Sequence, residues 1–170
     1  MNRNLFTILI YFIFYVVLQV LLLDKIHLFR IGTPFLYLYV IIKCPVNAPR
    51  TQVIGVSFLL GIVIDMFSNT LGMHAAACSL AGMIRNPLMN TFAVKEFSEG
   101  DMPSFQTMGV GGFSRYAAVL AAIHHITLFC IESITLFHPL LLIKRILACL
   151  FLTMLTILIV EAFNLKRRKE

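Results

Sequence analysis

Tryptophan is absent from the 170 residues, acidic side chains number only 8, and charged residues of both signs make up 13% of the chain. Soluble domains carry about a quarter. So little charge excludes a disordered chain, which stays open through polarity and net charge. The formal charge of +6 does not imply nucleic acid, because the basic residues are scattered along loops or gathered in residues 166–170. Cys44, Cys78, Cys130 and Cys149 lie far apart with no CxxC spacing, which fits buried small hydrophobes rather than a disulfide framework. There is no GxxxxGK[ST] phosphate loop, no HExxH and no GxSxG, so the common catalytic signatures are missing. The reading is of a protein without catalytic residues, cofactor or metal.

What is present is apolar. Hydrophobic residues make up 59%, including 15 Phe and 8 Met, and the mean hydropathy is +0.90. A soluble fold of this size leaves about 30% of its chain area wet, so it cannot hide this much apolar surface. The composition predicts one integral membrane domain, an all-α polytopic bundle. Apolar runs place about six spans near residues 5–23, 33–43, 53–67, 71–86, 116–137 and 140–163. The first run is too long for a signal-peptide core and reads as an uncleaved span. The second is short for a crossing that needs about 20 residues; it either borrows residues 28–33 or is a half-length element. Residues 90–114 form the longest polar stretch, and Lys166-Arg167-Arg168-Lys169 form a basic tail.

Short-loop basic residues set orientation. With six crossings and both termini cytoplasmic, the inside set is Arg3, Lys43, Arg50, Arg85, Lys95, Arg115 and the four of the tail. The outside set is Lys25, Arg30, Lys144 and Arg145. The expected location is the bacterial inner membrane, multi-pass, with residues 90–114 cytoplasmic.

Ionisable groups at membrane depth are costly and therefore informative. Counting back seven positions from Pro139 gives Glu132, and forward seven from His138 gives Arg145. Across a hairpin those residues share a depth, so an ion pair is expected, with Lys144 as the substitute partner and snorkelling of Arg145 as the plain alternative. His125 shares a helical face with Glu132. His124 and His125 are adjacent and point about 100° apart, so they do not make one metal site; a helix–helix hydrogen bond or a water-lined cavity are the structural alternatives. Ala118, Ala121 and Ala122 form one small-residue stripe, and Ala75, Ser79 and Gly82 another. Such stripes permit close helix approach, either within the bundle or against a partner's helix.

Around the third and fourth spans the chain reads GIVIDMFSNTLGMHAAACSLAGMIRNP. Gly61, Asp65, Gly72 and His74 form G-x3-D-x6-G-x-H, closed by Arg-Asn-Pro. This resembles the rod shape-determining protein MreD family, and the histidine pair with the long polar loop resembles its Bacteroidetes-type branch. The resemblance implies a small non-enzymatic membrane protein, similar in fold to the substrate-binding subunits of energy-coupling-factor transporters. Its implied partners are MreC, RodA and a class B penicillin-binding transpeptidase, with the MreB filament system, in lateral peptidoglycan synthesis and cell shape. The carried-over motif residues are Asp65, Gly72 and His74; on physical grounds the acid and imidazole either cap the fourth span or meet a partner helix. The leading expectation is a scaffold of the elongation machinery that binds MreC. The alternative is a small-solute-binding transporter subunit, which needs convergent polar groups in a concave pocket.

Overall fold

A computed structural model describes residues 3–25, 32–93, 97–98, 100–133 and 139–167. Among them six α-helices follow in order: α1 (Arg3–Leu21), α2 (Leu38–Ile42), α3 (Arg50–Ser68), α4 (Met73–Phe92), α5 (Phe105–Glu132) and α6 (Pro139–Arg167). A 3-10 turn at Leu23–Lys25 follows α1. His27, Arg30, Lys95, Glu96, Glu99, His138 and residues 168–170 lie outside the described residues. Helices Arg50–Ser68, Phe105–Glu132 and Pro139–Leu165 are each long and apolar enough to cross a membrane, and Phe6–Leu21 is a shorter apolar helix. The surface agrees with that solvent. On α6, Ile143, Leu147, Phe151, Leu155, Ile159 and Phe163 recur every four residues at 45–71% exposure, an apolar stripe with no counterpart in the interior. The chain is a helical membrane protein.

Helix limits depart from the apolar runs in two places. The fourth span was expected to end at Arg85-Asn86-Pro87, yet α4 continues to Phe92 with Pro87 inside it. Proline removes the donor that would meet the Met83 carbonyl, and Arg50 Nη2 donates to that carbonyl at 3.4 Å. The polar loop expected over 90–114 is shorter than its composition suggests, because α5 begins at Phe105. Ser104 Oγ accepts from the Thr107 N–H at 3.2 Å and Thr107 Oγ1 from the Ser104 N–H at 2.9 Å, a reciprocal cap that starts the helix. The helix is broken once, at Gly109 (φ 71°, ψ 162°), within the glycine cluster that reads as loop.

The second run is not a spanning helix. Only Leu38–Ile42 are helical; they are preceded by non-helical residues 32–37. Eleven residues in a helix reach about 16 Å, and each one unwound adds roughly 2 Å, still short of the hydrocarbon core of about 30 Å. The segment is surrounded by the other helices, with Tyr37 to Ile42 all at 1% exposure or less. α1, α3, α4 and α5 all pack on it.

Unwound backbone at such depth needs protein partners, and α1 and α6 supply them. Gln19 of α1 donates from Nε2 to the Pro34 carbonyl at 3.0 Å and accepts from the Leu36 N–H at 2.9 Å. Thr153 of α6 accepts from the Phe35 N–H at 2.9 Å, and Cys149 Sγ from the Thr33 N–H at 3.4 Å. Gln19→Leu would leave two buried backbone groups unmet at about 1–3 kcal/mol each. A fall in the thermal unfolding midpoint in detergent is expected for Gln19→Leu; equal midpoints for Gln19→Leu and the native chain would refute the clamp.

Candidate functional site

Polar side chains gather at the two ends of the bundle, with imidazoles between them. At one end stands the α3–α4 turn. Asn69, at φ 53° and ψ 45°, ends α3, and Gly72, at φ 77°, precedes α4 without offering a side-chain cap. Positive φ at Gly72 favours glycine. The cap comes from the preceding helix instead. Asp65 Oδ1 accepts from the His74 N–H at 3.0 Å, and Oδ2 from the Ala75 N–H at 2.9 Å. Thr70 Oγ1 donates to Oδ1 at 2.5 Å, and His74 Nδ1 lies 3.0 Å from the same oxygen. The carboxylate thus meets two orphan donors of α4 where a negative charge also suits the helix dipole. Gly61 completes the unit: a Cβ there would lie 2.4–2.6 Å from the Ala75 and His74 backbone, so only glycine lets α3 approach the first turn of α4. The four motif residues are brought together as one piece of structure.

On the same end, Arg145 Nη1 donates to Glu132 Oε1 at 2.7 Å, with the side chains 48% and 38% exposed. Arg145 also lies 4.8 Å over the Phe129 ring. Lys144 is exposed beside it. A cavity of about 480 Å³ opens here between the α3–α4 turn and the facing ends of α5 and α6. Phe35, Leu128 and Phe129 supply apolar lining; Lys25, His74, Glu132 and Arg145 supply its ionisable groups.

Deeper in the bundle the two adjacent histidines do different work. His125 Nδ1 lies 2.6 Å from the Ala121 carbonyl, which can only accept, so Nδ1 carries the proton. Nε2 then accepts from the Thr153 hydroxyl at 3.2 Å, the same hydroxyl that accepts from the Phe35 N–H. His124 Nε2 lies 3.1 Å from Tyr37 Oη and 3.7 Å from Cys78 Sγ, and its Nδ1 has no hydrogen-bond partner among the described residues. The Phe35 ring sits among His74, His124 and His125 at 5.2–6.2 Å. Among the described residues no group of three His, Cys, Asp or Glu could hold a metal ion.

At the opposite end lies a centre that sequence reasoning missed. Lys43, at the C-terminus of α2, donates to Glu161 Oε2 at 3.1 Å and to the Pro103 carbonyl at 2.8 Å. Glu161 also accepts from Tyr39 Oη at 2.5 Å and from the Phe105 N–H at 3.2 Å. Both side chains of the ion pair are 7% exposed or less. Beside them Arg85, fully buried, donates to the carbonyls of Cys44 and Pro45 and to Asn86 Oδ1. Lys43 and Arg85 counted as loop charges in the orientation reading; both are instead buried, Arg85 on the Cys44 and Pro45 carbonyls just past α2, where cations are favoured, and Lys43 on Glu161 and the Pro103 carbonyl. The available signal was Glu161 itself, an acid inside the last apolar run.

The small-residue stripes divide. Ala75, Gly82 and Ala121 are buried within the bundle, with Gly82 against Ser57, while Ser79, Ala118 and Ala122 are half-buried. Cys44, Cys78 and Cys149 are buried free thiols, and Cys130 is an exposed one. In comparisons with known protein families, curated proteins and solved structures, nothing matches this chain.

Removing the Asp65 cap by Asp65→Ala is expected to cost up to about 2 kcal/mol, or roughly 4–8 °C of Tm for a chain this size. Asp65→Asn should lose less. Gly61→Ala should be at least as damaging through overpacking, whereas Gly55→Ala, where a Cβ meets nothing within 4 Å, should be neutral or slightly stabilising. Thermal unfolding of the four variants in one detergent checks the ranking.

Proposed function

We propose that this protein is an MreD-like, non-enzymatic scaffold of the bacterial cell-elongation machinery. The observation that carries the reading is the joint placement of Gly61, Asp65, Gly72 and His74, four residues of the family-like motif, in one capped turn. In this reading the chain crosses the inner membrane six times, the partly helical 33–43 segment making the second pass together with the residues that flank it, and both termini are cytoplasmic. The fold is then of the energy-coupling-factor substrate-binding type. The Lys43–Glu161 centre lies toward the cytoplasm and the cavity toward the outside. The separation of charges supports it: Arg145 and Glu161 are sixteen residues apart on α6, about 24 Å at 1.5 Å per residue, so each sits near one face of a hydrocarbon layer of about 30 Å.

The scaffold works by presenting helix surface. The exposed apolar residues of α1, among them Leu9, Ile13, Val17 and Leu21, and the apolar stripe of α6 are available to the transmembrane helix of an MreC-like bitopic protein, and through it to RodA and the class B transpeptidase. The second reading, a small-solute-binding transporter subunit, draws on the cavity, which does bring a few polar groups together over an apolar floor.

Affinity purification of the full chain in mild detergent distinguishes them. Recovery of an MreC-like bitopic protein, with loss of rod shape on depletion, is the expected result. Recovery of a transporter ATPase pair together with tight vitamin binding would overturn the scaffold reading.

A further inference from the structure

The cavity holds an imbalance that neither packing nor the capped turn explains. Among its described lining residues two fixed cations, Lys25 and Arg145, face one carboxylate, Glu132. Arg145 Nη1 donates to Glu132 Oε1. The hydroxyl-bearing residues Thr33, Ser68 and Thr70 also line it. His74 is turned so that Nδ1 faces Asp65 and Thr70, which leaves its Nε2 edge away from that pair. The floor and walls are apolar: Phe35, Phe129, Leu128, Val20 and Met73. A volume of about 480 Å³ falls within the usual range for small-molecule pockets, roughly 300–1,000 Å³.

We infer that this cavity is a binding site for an amphiphile with one anionic phosphate or carboxylate head. The head sits between Arg145 and Lys25, and the apolar part lies against Phe35 and Phe129. Guanidinium suits such oxygens because its donors form a planar fork, and Glu132 holds that fork in place while the described lining keeps one fixed cation more than it has carboxylates. Two sources share this chemistry: the headgroup end of an anionic phospholipid, or a soluble amphiphilic phosphate or carboxylate. The inference does not depend on the scaffold reading; a scaffold and a transport subunit could each carry it.

The absence of tryptophan from the chain provides the measurement. Phe67 lines the cavity and is 63% exposed, so Phe67→Trp places a lone indole at its edge. The full-length variant in neutral detergent is titrated with short-chain phosphatidylglycerol, with hexyl phosphate and with hexyltrimethylammonium. The expected result is a saturable emission change with the anionic probes and none with the cation. Response to the phospholipid alone assigns a lipid; response to hexyl phosphate as well assigns a soluble amphiphile. Arg145→Gln and Lys25→Gln should each weaken binding by roughly tenfold or more, the worth of one charge-assisted hydrogen bond, and Arg145→Lys should retain part of it. Equal response to the cationic probe, or unchanged affinity in both Gln variants, overturns the proposal. Should Phe67→Trp fail to fold, thermal stabilisation of the unsubstituted chain by the same three probes separates the same outcomes.

Discussion

Everything in this bundle is arranged around one constraint: a stretch of unwound backbone lies where water cannot reach it. In lipid each unmet N–H or C=O costs several kcal/mol, so residues 33–36 can be non-helical only because α1 and α6 present Gln19, Cys149 and Thr153 to them. The same need fixes His125, whose Nε2 accepts from the Thr153 hydroxyl and whose Nδ1–H donates to the Ala121 carbonyl. A relay of three hydrogen bonds therefore runs from the unwound segment through α6 into α5. It gives Gln19, His125 and Thr153 a role inside helices that are mostly apolar.

The far end of the buried segment poses the complementary problem. A five-residue helix leaves its carbonyls exposed at the C-terminus, and here they end inside protein. Tyr116 Oη lies 3.4 Å from the Ile42 carbonyl, and Arg85 takes those of Cys44 and Pro45. Lys43 is then held by Glu161, which is itself tied to Tyr39 and the start of α5. Buried ion pairs are weak evidence for stability, because desolvation offsets much of the attraction. Their value here is positional: one carboxylate joins α2, α5 and α6 at a common level.

The two ends differ in character. The Lys43–Glu161 end is closed: Lys43 and Glu161 pair with each other, and Arg85 beside them donates to two carbonyls and Asn86, with its buried Nε unmet among the described residues. The Asp65–Glu132–Arg145 end combines a tightly capped turn with an open cavity and a half-exposed ion pair. Rigid elements beside an open concavity are the usual setting for recognition, whereas a buried charge network holds helices in register.

Much was legible from residue order. The membrane class followed from the apolar excess, since the share of surface a chain can bury is bounded by its size whatever the fold. The Glu132–Arg145 juxtaposition followed from counting across a hairpin, because antiparallel helices with the same rise per residue place equal offsets at equal depth. The carboxylate cap of α4 was one of two local possibilities open to Asp65. Other features were hidden in contacts between distant segments. Glu161 and Lys43 are 118 positions apart, and Phe35 and Thr153 the same distance; no period or motif links them. Whether 33–43 crosses as a helix or enters unwound could not be read from its apolar content, because both forms need the same hydrophobicity. What separates them is the supply of hydrogen-bond partners, and that exists only once α1 and α6 have closed around the segment.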